Sequence, residues 1–376
     1  MKIGILTYHH AHNYGAYLQA CALCNRLNLE KDIEAEIIDY RMRREVRFYD
    51  YRKTSTVKRL LRPGKYAFSR RLFDTFERAL NDPIMKRSAK SLVSDSFDDL
   101  RREFDGKYDV IIAGSDEIWK LDSYRGFPSP YWLPGEMQCR KFSYAASARN
   151  DPEKQSPEVL EKVRRYAEDF EYLGVRDRKT EALLVRAGIP KERVHVQCDP
   201  SFLMDVKPEK KPMHEVLSGK ARIDPNKKTI ALMTNDRGLA FSIFRWFGRS
   251  YNLVSVFDSH PGWRNVPDLT PTEWLSVIRN SDLFMTTYFH GTCFSVIFGT
   301  PFVSFGSKTR SSKIEELFTD ADEELRQHYI PDTAAFLKLP DAKTRLVSLM
   351  KPVDSTAYVE RSRQAFDQVL KALRGS

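Results

Sequence analysis

The run Asp282-Leu-Phe-Met-Thr-Thr-Tyr-Phe-His290-Gly-Thr-Cys-Phe-Ser-Val-Ile-Phe298 holds the residues best suited to chemistry. It reads as a buried strand, a tight His-Gly-Thr turn and a short apolar helix. Gly299-Thr-Pro301 then turns into a second buried strand, Phe302–Phe305. Such a turn puts a titratable His290 at the carboxyl end of a strand, the edge where open α/β sheets bind ligands. It also sets the Gly291 and Thr292 amides at a helix N-terminus, where unpaired N–H groups and the helix dipole attract an anion. A proton donor beside such a helix end, with no acidic neighbour, suits a phosphate or carboxylate substrate. The same pattern also fits a plain strand–helix turn whose histidine caps a carbonyl.

Other chemistry-bearing residues fall at similar turns. Asn13, Tyr14 and Gly15 follow the first strand, and Gly15 permits either a close backbone approach to a ligand or a plain helix entry. Asp116 follows Gly114-Ser115 at the end of a buried strand, where it could act as a base on a hydroxyl or cap the next helix. Trp119 could stack on a sugar face or fill core. Arg176 closes a strand, and Arg310 lies beyond the strand that follows His290. A guanidinium stays charged and binds carboxylate or phosphate bidentately, so both arginines suit an anionic ligand, with a surface ion pair as the plainer reading. His9, His10 and His12 lie close together, but no acid or thiol pattern beside them makes a metal site, and none is expected.

The elements that must position these residues alternate strand and helix. Short apolar runs predict strands at 2–7, 35–39, 108–113, 141–145, 172–175 and 194–197, then at 229–233, 253–257, 283–287 and 302–305. They lack strict alternation, as parallel strands buried on both faces do. Helical patterns lie between them, at 16–27, 156–170, 179–187, near 239–249 and at 271–280. The predicted architecture is α/β: two Rossmann-like domains facing across a cleft, a GT-B-like arrangement. The first spans 1–204, with a basic helical insertion over about 41–105, and is expected to serve the acceptor. The second spans 205–354 and is expected to serve the donor. An amphipathic helix over 355–376 is expected to pack back on the first domain.

The chain has 376 residues, enough for two such cores, and a net charge of +10. The surplus is local: residues 41–72 hold twelve Lys and Arg against only Glu45 and Asp50. Aromatic residues interleave those charges, which suits an anionic membrane surface through residues 41–72. Nucleic acid or plain solvation of a helical insertion are the other readings, and no nucleic-acid partner is expected. Five scattered cysteines argue against a disulfide framework. No apolar run reaches membrane-spanning length and the N-terminus enters a strand directly, so a cytoplasmic location is expected, peripheral at the inner face of the plasma membrane.

Six segments, in this order, now carry a resemblance: His12-Asn-Tyr-Gly-Ala-Tyr-Leu-Gln19, Ala113-Gly-Ser-Asp-Glu-Ile-Trp119, Ser143-Tyr-Ala-Ala-Ser147, Gly174-Val-Arg-Asp-Arg178, Cys198-Asp-Pro200 and Phe289-His-Gly-Thr292. Together they resemble the polysaccharide pyruvyl transferase family from the first strand to about residue 318. The resemblance implies a GT-B-like transferase moving pyruvate from phosphoenolpyruvate onto hydroxyls of a cell-envelope polysaccharide or lipid-linked sugar. It implies no separate cofactor, phosphoenolpyruvate being the donor substrate. On this reading His290 protonates the donor methylene or assists the departing phosphate, and Asp116 acts on the acceptor hydroxyl. Arg176, Arg310, Gly291 and Thr292 bind the donor; Asn13, Tyr14, Gly15 and Trp119 line the acceptor. Two positions depart from the family: Thr287 stands where an acidic residue is common, and Tyr288 where other members carry Arg. The rival enzyme reading is a nucleotide-sugar-dependent glycosyltransferase on the same scaffold. It is disfavoured because no Glu lies between Glu273 and Glu315 to grip a ribose. A non-catalytic membrane-surface scaffold is the alternative outside enzymes.

Overall fold

The computed structural model describes residues 1–53, 55–61, 63–307, 311–319 and 321–375, with 65, 311 and 312 described by backbone alone. Its first sheet contains β1 (Lys2–Leu6), β2 (Glu34–Arg41), β3 (Arg87–Val93), β4 (Val110–Asp116), β5 (Arg140–Ala146), β6 (Tyr172–Val175) and β7 (Val194–Val196). Their order is β3-β2-β1-β4-β5-β6-β7, and every pairing is parallel. The second sheet contains β8 (Thr229–Met233), β9 (Asn252–Val256), β10 (Arg264–Val266), β11 (Leu283–Thr286), β12 (Phe302–Phe305) and β13 (Tyr329–Ile330). It runs β10-β9-β8-β11-β12-β13, again all parallel. The central strands are buried along nearly their whole length because helices cover both faces, which explains their unbroken apolar sequences. In each sheet the strand order reverses beside the first strand, between β1 and β4 and between β8 and β11. Ligands of open parallel sheets bind at the carboxyl ends of such a pair.

The chain divides into two compact units, Met1–Arg59 with Phe76–Asp205 and Arg361–Ser376, and Leu60–Thr75 with Val206–Glu360. The basic stretch folds into helices Arg43–Tyr49, Thr56–Leu61 and Pro63–Ala79. The structure corrects the expected extent of that insertion. Residues 87–93 are the outer strand of the first sheet, and helix Phe97–Phe104 crosses from it to β4 with Leu100 and Phe104 buried. An edge strand exposes much of its surface, so Arg87-Ser-Ala-Lys-Ser-Leu-Val93 carries no apolar signature. The expected C-terminal helix is also broken, into Thr356–Gln364 and Phe366–Arg374. The latter closes the first unit: Phe366 meets Tyr144 edge-on at 5.4 Å, and Arg140 donates to the carbonyls of Leu373 at 2.8 Å and Ala372 at 3.0 Å. Arg374 pairs with Glu30 and Asp32, each at 2.8 Å.

Candidate active site

In the second unit the carboxyl ends of β8 and β11 meet through side chains. Thr234 and Thr287 share a hydroxyl–hydroxyl hydrogen bond of 3.0 Å, and the Thr287 amide donates to the Met233 carbonyl at 3.1 Å. Thr287, at the position where an acid is common, thus pins the two strand ends together. Helix Phe289–Phe298 starts directly beyond. Its N-cap, Tyr288, makes no side-chain capping bond, and its first turn contains no acid, so the positive end of the dipole is not neutralised within the helix. His290 lies in that first turn and is 8% exposed. Gly291 is required by packing, since a β-carbon there would sit 2.6 Å from Thr286 Oγ1. Thr292 departs from expectation. Its amide donates to the Tyr288 carbonyl at 3.2 Å, and its buried hydroxyl bonds to Ser304 on β12. Thr292 therefore stitches helix to sheet.

Tyr288, at the position where other members carry Arg, donates its hydroxyl to Asp258 Oδ2 at 2.9 Å. A phenol held against a carboxylate thus stands where those members place a cation. Arg310 lies outside the described residues. Lys313, which the sequence reasoning did not single out, places its ammonium 6.0 Å from the Phe289 ring centroid, beside the His290 turn. Nothing in its spacing announced this, because a helix and a strand lie between the two residues in the chain.

In the first unit Asn13 caps helix Tyr14–Leu27, its side chain accepting from the Gly15 amide at 2.9 Å and the Ala16 amide at 3.4 Å. Gly15 is thus a helix-entry residue. Tyr14 is fully buried, tilted against Phe76 at 5.0 Å. Trp119 is fully buried as well, stacked on Trp132 at 4.5 Å and donating its indole N–H to the Tyr131 carbonyl at 3.1 Å. Tyr14 and Trp119 are core residues and offer no face to an acceptor sugar, correcting both expectations.

Asp116 ends β4 with Ser115, both at positive φ, 65° and 41°. Ala145 and Arg149, at the end of β5, share that left-handed conformation at 51° and 57°. Such non-glycine backbone is costly and concentrates where a site over-determines it. Asp116 lies 3.5 Å from Arg176, whose other nitrogen donates to buried Asp199 at 3.0 Å. Burial alone would make the Arg176 guanidinium easier to deprotonate, but Asp116, Asp199 and Asp177 more than offset it and hold the charge. Arg176 is therefore held between two carboxylates at the carboxyl edge of the first sheet. Asp199 was visible in the Cys198-Asp-Pro200 segment, but a separation of 23 residues carries no sign of the contact.

The three early histidines diverge to separate carboxylates: His9 to Asp39 at 3.0 Å, His10 to Glu45 at 3.2 Å, His12 to Glu77 at 3.8 Å. Among the described residues no group of three or more His, Cys, Asp or Glu is arranged to hold a metal ion. All five cysteines are free, and burial pushes the Cys24 thiol up to about 12.

Two α/β units with parallel sheets, each reversing its strand order beside the first strand, define a GT-B-like fold. The fold is similar to UDP-GlcNAc 2-epimerase from Methanocaldococcus jannaschii, with TM-score 0.57, 11% identity and complete coverage of both chains. It is similar also to the Neisseria meningitidis UDP-GlcNAc 2-epimerase bound to UDP-GlcNAc, with TM-score 0.54, 11% identity and the same coverage. At such identity the likeness concerns fold alone. No curated protein matches the sequence significantly. The family model for polysaccharide pyruvyl transferase matches residues 13–309, most of the chain and all six motif segments but for His12. The chain belongs to the polysaccharide pyruvyl transferase family and is a transferase.

Proposed function

We propose that the chain moves pyruvate from phosphoenolpyruvate to two hydroxyls of a cell-envelope glycan or lipid-linked sugar, releasing phosphate. The observation that carries this reading is His290 in the first turn of an uncapped, acid-free helix at the switch point of the second sheet, within a chain of this family. Protonation of the donor methylene turns it into the methyl group and leaves a cationic C2. One sugar hydroxyl adds there, the C2–O bond to phosphate breaks, and a second hydroxyl adds to close the ketal. Of the two hydroxyl protons, one balances the proton gained by the methyl group and the other leaves with phosphate. His290 delivers the proton to the methylene or to the departing phosphate. The helix N-terminus, Arg310 and Lys313 hold the phosphate and carboxylate. Asp116, oriented by Arg176, takes a proton from an acceptor hydroxyl.

Calorimetric titration of phosphoenolpyruvate, beside UDP- and GDP-sugars, tests this. Saturable phosphoenolpyruvate binding is expected, weakened about 10- to 100-fold in Arg310→Ala through loss of charge-assisted hydrogen bonds. His290→Ala should retain the donor while turnover falls about 10²- to 10⁴-fold. Binding of a nucleotide sugar with none of phosphoenolpyruvate would overturn the assignment and favour the glycosyltransferase reading.

A further inference from the structure

Helix Arg43–Tyr49 is fixed from within and decorated outward. Its one carboxylate, Glu45, turns inward and is 1% exposed, facing His10 at 3.2 Å, accepting from the Tyr131 hydroxyl at 3.1 Å and bonded to Arg125. Burial opposes the charge on Glu45, but His10 and Arg125 overcome it and hold the carboxyl down at about 2. The helix thereby shows Arg43, Arg44, Val46, Arg47 and Phe48 to solvent. Phe48 stacks on half-exposed Tyr124 at 5.5 Å. The following helix, Thr56–Leu61, buries none of its residues and alternates Val57, Leu60 and Leu61 with Lys58 and Arg59.

Among the described residues the four most exposed large apolar side chains of the whole chain are Leu60 at 77%, Leu61 at 75%, Phe48 at 69% and Val57 at 65%. All four lie in this short stretch, where the chain's positive surplus also falls. Water-exposed leucines and phenylalanine gain nothing from solvent, and cations gain from an anionic partner. A surface offering apolar depth behind a negatively charged face satisfies both. Nucleic acid would satisfy the charges but not Leu60 and Leu61, which have no base-stacking ring.

We propose that the segment Arg43–Leu61 docks this enzyme on an anionic lipid bilayer, inserting Phe48, Val57, Leu60 and Leu61 among the acyl chains while its arginines and lysines meet the headgroups. The docking brings the enzyme to acceptors carried on lipid, and it does not depend on which donor the active site takes.

Flotation with phosphatidylglycerol–phosphatidylcholine vesicles, and with phosphatidylcholine alone, decides it. Recovery with the anionic vesicles alone is expected. Leu60→Ser with Leu61→Ser should weaken that partition about tenfold or more by removing insertable area. Arg43→Gln and Arg47→Gln should each weaken it about fivefold. Phosphoenolpyruvate titration of the same variants should be unchanged, which separates this outcome from failure of the donor assignment. Equal recovery with both vesicle types would overturn the proposal. So would binding to anionic vesicles that is indifferent to the leucine changes and matched by salt-sensitive binding to single-stranded RNA, which would make the segment a nucleic-acid surface.

Discussion

A β-carbon at Gly291 would press on Thr286 Oγ1 at 2.6 Å, and the hydroxyl has little room to retreat because it accepts from the Tyr288 amide at 2.9 Å. The close approach of helix Phe289–Phe298 to β11 therefore depends on glycine. Gly291→Ala should cost about 1–3 kcal/mol of overpacking, partly offset by alanine's better helix propensity of about 1 kcal/mol. A modest fall in urea midpoint beside a larger loss of turnover is the expected pair of measurements, since the displaced element carries His290. Unchanged turnover would show that the site tolerates the shift. The His-Gly-Thr turn itself was legible in the sequence, because apolar runs on both sides bracket it. Its division of labour was not. Thr292 and Trp119 looked like ligands because their types can bind anions or sugars, and only the three-dimensional neighbours Ser304 and Trp132 reveal them as packing. The ion pairs of Arg176 were hidden for a similar reason, its counter-ions Asp116 and Asp199 being remote in sequence.

At the scale of elements, ten strands were readable from short apolar runs, and β3, β10 and β13 were not. Arg87–Val93 is polar because it lies at an edge, while Arg264–Val266 and Tyr329–Ile330 are too short for any periodicity. Helix Arg43–Tyr49 shows the converse, an element legible as basic whose anchor was hidden in a single glutamate. Glu45→Ala should leave Arg125 and His10 buried without their shared carboxylate, at a cost of about 3–5 kcal/mol. Trypsin cleavage at Arg43, Arg44 and Arg47 should accelerate accordingly. Because the folded-state pKa of Glu45 lies below its ordinary value of 4.5, its contribution is complete above about pH 4.5. That contribution is lost as pH falls toward about 2, where the carboxylate is protonated in the folded state too. Glu45→Gln should therefore show a shallower acid-induced loss of stability than the parent. Equal slopes in acid unfolding curves would assign the acid sensitivity to other carboxylates, Asp39 first among them.

For the whole molecule, the two parallel sheets repeat one wiring, strand order reversing beside the first strand of each, and this is the level at which the sequence was most informative. Alternating strand and helix patterns leave few topologies once right-handed crossovers are required. The exception is the return of the chain after the second unit, where an expected single helix breaks in two and the first unit takes back the chain from Arg361 onward. Truncation after Glu360 should strip Phe366 from Tyr144 and leave Arg140 without the Leu373 and Ala372 carbonyls. Poor soluble yield, or a lowered Tm in any folded product, is expected; native-like melting would show the helix to be dispensable. On the ribosome this arrangement imposes an order of assembly. The first unit emerges with all its strands yet without its last helix, which follows only after Val206–Glu360 has been made. At about 5–20 residues per second that interval lasts roughly ten seconds or more. For that time the Tyr144 face waits uncovered in the nascent chain, which makes this surface a natural client for a holding chaperone.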